Sequence, residues 1–139
     1  MEKRIENDRA YRQNLGKIKS PPLRRFLKHY AERGELHDWV IEKTELYSMK
    51  NSLQCKMTLS SGRETVCLRI SDISSYAVDA QNLSACINGE VGWGYCEVAE
   101  SDNNDISVSV ICDIFIEMHF EARKIALDRA CGKRCKLSV

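Results

Sequence analysis

The chain is short of the residues that break or bias structure. Two prolines and seven glycines in 139 residues leave no room for a collagen-like or low-complexity architecture. No apolar run approaches the roughly 20 residues that carry a helix across a membrane. The opening MEKRIENDRAYRQ is charged where a signal peptide is greasy. Motifs that carry chemistry are missing too. There is no G-x-S-x-G elbow for a serine nucleophile. There is no glycine-rich phosphate loop either, because GEVGWG lies inside a strand pattern and does not lead into a helix. The seven cysteines, at 55, 67, 86, 96, 112, 131 and 135, form no paired C-x-x-C units of the zinc type. Their odd number and the missing export signal predict reduced, structural thiols in a cytoplasmic protein. No catalytic residue, metal or cofactor is assigned on these grounds.

What is present is globular. Apolar residues make up 43% and charged residues 29%, too apolar for intrinsic disorder. A chain this long buries roughly two thirds of its unfolded surface and needs no disulfide or metal to hold a core. One domain over 1–139 is expected, with a helical segment 1–34, a β body 35–122 and a basic tail 123–139. Cys55 and Cys112 fall on the apolar phase of their strands and behave there as small hydrophobes. Cys131 and Cys135, in CGKRC, stand beside Lys133 and Arg134. Those cations would lower a thiol pKa, which makes a redox-sensitive tail the rival reading.

Two helices are expected first. Glu2 to Ile18 is charged and weakly periodic. The second, 21–33, is clearer: Ser20 as cap, Pro21 in the first turn, Leu23, Phe26, Leu27 and Tyr30 at 3–4 spacing, and Gly34 as stop. Arg24, Arg25, Lys28 and Arg33 form its solvated face. From Leu36 the period changes to two. Leu53 to Leu59 and Val66 to Ile70, joined by Ser60-Ser61-Gly62-Arg63, read as a hairpin. Tyr76 and Val78 make a short strand after a turn at Asp72–Ser75. Val91, Trp93 and Tyr95 share one phase of the next strand, with Gly92 and Gly94 marking a bulge or close backbone approach. Ile106 to Cys112 and Ile114 to Phe120 alternate again, and 122–130 is ambiguous between strand and helix. The fold class is therefore α+β, two helices and an antiparallel body of about seven strands forming a curved sheet or open sandwich.

Charge is segregated. Residues 1–34 carry ten Lys/Arg against four Asp/Glu, residues 35–122 five against fifteen, and residues 123–139 six against one. The plainest reading is that the basic ends pack beside the acidic body and the fields largely cancel; the functional one is that the body meets a basic partner or the ends an anionic one. The acidic body disfavours nucleic acid, since RNA-binding sheets carry aromatics beside cations. The basic helix 21–33 could touch phosphate but lacks a second helix-turn-helix unit. His37 and Asp38, adjacent at the entry to the first strand, should face opposite sides and make no base–orienter pair. Glu117, His119 and Glu121 share the polar phase of one strand. They would be metal ligands if a neighbouring strand added donors, as in a small metal-dependent enzyme, and otherwise a partner-facing patch.

The run LRRFLKHYAERGELHDWVI, the strands after it and ISDISSYAVD resemble a loose group of small bacterial proteins. In these a helix leads into a strand opening with Leu-His-Asp. The group is uncharacterised or counted among immunity proteins of toxin systems, and the resemblance implies binding without catalytic residues. The expected interface comprises Glu117, His119 and Glu121, the acidic turn with Asp102 and Asp105, and Trp39 and Trp93 as anchors, although strand tryptophans are more often core residues. A basic toxin domain is the partner chemistry this favours, with no membrane and an oligomeric state left open.

Overall fold

The computed structural model describes residues 20–80, 91–101, 104–112 and 116–129. The expected helix from Glu2 to Ile18, Asp102 and the CGKRC segment lie outside them.

Helix α1 spans Pro21–Glu32, and Leu23, Phe26 and Tyr30 are its buried side chains, with Leu27 packed at the margin. Ser20 occupies the cap position, but its side chain makes no capping bond. Its N–H donates instead to the Glu100 carboxylate at 3.2 Å, which ties the start of the helix to the last strand residue of a distant hairpin. The helix stops at Gly34, where φ is +60°, a conformation glycine adopts without steric cost. A single 3-10 turn, Gly34–Leu36, follows. Glu35, Leu36 and Asp38 also take left-handed φ values of 55°, 59° and 64°, each unfavourable by roughly 1–2 kcal/mol for an L-residue. Complete burial of Leu36 offsets that cost. The consequence is that the first strand starts at Val40 and not at Leu36. His37 and Asp38 lie in this exposed turn, 3.5 Å apart, and not on opposite faces of a strand.

Eight strands follow: β1 Val40–Met49, β2 Ser52–Ser60, β3 Thr65–Ile73, β4 Ser75–Ala80, β5 Val91–Glu100, β6 Ile106–Cys112, β7 Ile116–Ala122 and β8 Lys124–Arg129. All pair antiparallel in one sheet of order β4-β7-β6-β5-β1-β2-β3-β8. The expected β2–β3 hairpin forms around Ser61–Glu64, whose Ser61 hydroxyl accepts from the N–H groups of Arg63 and Glu64. Two expectations need correction. The segment Asp72–Ser75 does not reverse the chain. It is a bend at Ser74 through which β3 runs on into β4, with Asp72 at φ 56° and hydrogen-bonded by Ser52. Residues 124–129, assigned to a basic tail, form β8 with Ile125 and Leu127 buried. Two apolar residues among helix-forming neighbours are too short a pattern to announce a strand. Pairing with β3 decides it.

Because β4 continues β3 and β8 continues β7, the two ends of the strand order belong to one long bent pair. Its halves are stitched by Ser74 N–H donating to Glu121 O at 2.8 Å and Arg123 N–H donating to Ser71 O at 3.1 Å. The sheet thereby curls into two leaves of four strands, β1-β2-β3-β8 and β4-β7-β6-β5, and both inner faces join one core with the apolar side of α1. β5 and β1 are paired only at Val40–Gly92 and Ile41–Val91. Beyond that point α1 serves the edge of β5, since the buried Tyr30 hydroxyl accepts from Cys96 N–H at 3.2 Å and from Trp93 Nε1–H at 3.3 Å. Gly94 sits at the bulge of β5, where a Cβ would lie 2.2 Å from the Ile111 carbonyl oxygen. The bulge shifts the phase, so Cys96 turns inward and Tyr95 outward.

Candidate functional site: the outer face of the second leaf

Side chains directly opposite one another in a sheet share a face, so the ladder registers define the outer surface of β4-β7-β6-β5. It consists of three rows of four: Asp79–Glu117–Ile111–Tyr95, Ala77–His119–Ser109–Glu97 and Ser75–Glu121–Ser107–Ala99. Every one of these positions is exposed or half-exposed. Four are carboxylates and none is Lys or Arg. At about 4.8 Å between strands and two residues between rows, the face measures roughly 14 by 13 Å.

Its centre is a hydrogen-bonded cluster. His119 Nδ1 lies 3.0 Å from Ser109 Oγ, and His119 Nε2 lies 3.0 Å from Glu121 Oε1. Ser107 Oγ donates to the same Glu121 oxygen at 3.1 Å. With Nε2 protonated, Ser109 donates to Nδ1. With both nitrogens protonated, Nδ1–H donates to Ser109. The Ser109–His119–Glu121 order is that of nucleophile, base and orienting carboxylate, but the setting lacks the rest of such a site. Backbone N–H groups of paired strands lie in the plane of the sheet while side chains stand off it, so no donor pair faces a carbonyl attacked by Ser109. The cluster holds His119 and Glu121 in place without making an acyl-transfer centre.

Glu117 stands apart from that cluster, in the neighbouring row and directly opposite Asp79. Like charges directly across a ladder are destabilising. Among the described residues no group of three potential ligands is placed to hold a metal ion, so Glu117, His119 and Glu121 share a face without converging on a point.

Of the other expected interface residues, Trp39 and Trp93 are core residues, 8% and 4% exposed. Trp93 stacks edge-on against Tyr30 with ring centroids 6.1 Å apart, and its backbone N–H donates to the Trp39 carbonyl at 2.9 Å. Neither can anchor a partner on this surface. The left-handed turn at 34–38 and the helix packed on β5 bury them, and neither is visible in a strand's alternation. Asp105 lies in the β5–β6 turn, where its carboxylate is 3.7 Å from Arg123. Asp79, Tyr95, Glu97, Ser107 and Ser109 were not singled out. The wet phase of Asp79, Ser107 and Ser109 was legible, but Tyr95 and Glu97 shared a phase with Trp93 until the bulge turned them outward, and the register that aligns four strands was not legible.

The basic face of α1 also differs from expectation at one position. Arg33 is not solvated: its Nε and Nη2 donate to the two Glu64 carboxylate oxygens at 3.1 and 3.4 Å, and Arg129 Nε donates to Glu64 from the other side at 3.1 Å. Burial would raise the Glu64 pKa, but the two guanidiniums together outweigh it and hold the carboxyl below its ordinary range. The four described cysteines, 55, 67, 96 and 112, are free thiols and buried. Burial pushes Cys55 up to about 12 and Cys96 further in the same direction. Thiols held protonated in this way are poor nucleophiles and ligands.

Among the described residues no helix is long and apolar enough to cross a membrane. Comparison with protein-family models, with characterised proteins and with solved structures gives no match.

Proposed function

We propose that this chain is a non-catalytic protein-binding domain whose outer face on β4-β7-β6-β5 receives a basic partner. One observation carries the reading: four carboxylates share a flat face with no cation of its own, two of them directly opposed at Asp79 and Glu117. Ser75, Ala77, Ala99, Ser107 and Ser109 between the acids are small and allow close approach, while Tyr95 and Ile111 offer apolar contact at one end. Charge complementarity of this kind chiefly raises the association rate and sets partner choice. A basic toxin domain is a partner of this chemistry, as the resemblance around Leu36-His37-Asp38 implies, and an immunity role is the form the proposal takes there.

An arginine-rich peptide titrated onto the full chain tests it. Glu117→Lys with Glu97→Lys should slow association several-fold at low salt, and the difference should shrink once the Debye length falls to about 3 Å near 1 M salt. If those changes leave binding intact while Arg25→Glu with Lys28→Glu abolishes it in a folded protein, the face has been misassigned.

A further inference from the structure

The acidic face has a counterpart on the same chain. α1 turns Leu23, Phe26 and Tyr30 into the core and leaves Arg25 and Lys28 exposed. Three residues apart, they project from one side of the helix. Glu32, toward the far end of that side, is already engaged 3.7 Å from His29. Among the described residues, ion pairs join Arg33 and Arg129 to Glu64, Lys43 to Glu45, Arg69 to Asp128 and Arg123 to Asp105, and His37 and His119 stand beside Asp38 and Glu121. None joins α1 to Asp79, Glu97, Glu117 or Glu121. Among the described residues, Arg25 and Lys28 therefore make no ion pair with this face.

We propose that the acidic face also takes α1 of a second copy, so that the chain associates with itself head to tail. The inference rests on the reading that this face binds basic surfaces, and names one such surface. The dimensions agree. Twelve helical residues extend about 18 Å, and the face spans roughly 14 Å from β4 to β5. The central Ala77, Ser107 and Ser109 leave a helix room to lie across the strands, with Arg25 and Lys28 set among Glu97, Glu117 and Glu121. Because donor and acceptor surfaces differ, the contact is heterologous. Each added copy leaves one helix and one face open, and assembly proceeds beyond a dimer unless a ring closes. A foreign basic partner then competes with self-assembly for one surface.

Sedimentation velocity on the full chain tests this, with charge neutralised and not reversed so that no new complementary pair arises. At low salt the weight-average mass of the native sequence should rise with concentration and return to the monomer value at high salt. Glu97→Gln with Glu117→Gln, and separately Arg25→Gln with Lys28→Gln, should each remain monomeric and cooperatively folded, with thermal midpoints no lower than that of the native sequence. An equimolar mixture of the two variants should give a 1:1 complex and nothing larger, since one competent helix and one competent face remain. A native chain that stays monomeric at every concentration in low salt overturns the proposal, as does a mixture of folded variants that fails to associate. If the arginine-rich peptide still binds in either case, self-assembly alone falls. If the peptide does not bind, the reading of the face falls with it.

Discussion

The two leaves share a core, a strand period and a pairing mode, yet their outer faces differ in charge, one mixed and one acidic. On β1-β2-β3-β8 the registers align Lys43–Thr58–Cys67–Asp128 and Glu45–Lys56–Arg69–Ala126, with Lys124 beside Ser71. Both signs occur there: Lys56 stands directly opposite Arg69, but Lys43 pairs with Glu45 at 3.4 Å and Arg69 with Asp128 at 3.6 Å. On β4-β7-β6-β5 the three rows hold four carboxylates and no Lys or Arg, with His119 hydrogen-bonded to Glu121. Exposed ion pairs contribute little to stability, so the first leaf is what an ordinary solvated face looks like. The second departs from it in carrying acids without Lys or Arg, and the proposed binding role rests on that difference.

The largest test of that comparison strikes what the leaves have in common. Leu68 belongs to the first leaf and Phe120 to the second, and both are essentially fully buried. Truncation to alanine should cost roughly 2–5 kcal/mol at Leu68 and 3–5 at Phe120, read as the shift in denaturant midpoint. Each should unfold both leaves in a single transition. Leu27, packed only at the margin of the core, should cost distinctly less. Independent melting of the leaves would break the one-core description.

Gly94→Ala acts on the bulge that separates the inward phase of β5 from the outward phase bearing Tyr95 and Glu97. The added methyl meets the Ile111 carbonyl, a backbone atom that cannot swing away. A loss of roughly 1–3 kcal/mol is expected, together with weaker peptide binding as Tyr95 and Glu97 lose their alignment with β6.

Glu64→Gln tests the matched side. The folded-state pKa of Glu64 is depressed. Its contribution is therefore present above the unfolded value and lost as pH falls through the folded one. The variant should be less stable than the native sequence at neutral pH, and the gap should close as the pH drops below the ordinary carboxyl value of 4.5. A gap that persists in acid would show that hydrogen bonding, and not charge, ties α1 to β8 through this residue.

The smallest effect carries opposite signs on stability and binding. Asp79→Asn removes the like-charge opposition to Glu117, so the thermal midpoint should rise slightly while association with the arginine-rich peptide slows. A variant that lowers both would deny the acidic pair its special place.

How much of this was legible differs by element. The helix at 21–32 and the hairpin of β2 and β3 were plain, because apolar spacing, a proline near the start and turn residues all agree locally. The bulge at Gly94 was legible for the same reason, as glycines inside an alternating strand. β8 was not, since Ile125 and Leu127 become strand residues only when β3 lies beside them. Trp39 and Trp93 were open to both readings, anchor and the commoner core residue, and burial decides for the core; the turn before Trp39 runs through left-handed backbone at Glu35, Leu36 and Asp38, where side-chain type offers little warning.

For the site, the sequence by itself determined that β7 carries Glu117, His119 and Glu121 on one side and that the body is acidic. A period of two dictates which residues of a single strand share a face, and composition dictates the charge. Only the tertiary structure decided that Asp79 opposes Glu117, that Ser109 and Glu121 clasp His119, and that Glu97 completes the same surface. Register between strands depends on where bulges fall, on bends at Ser74 and Arg123, and on which strands meet. Those are set by closing one core around both leaves, a condition no single segment of the chain contains.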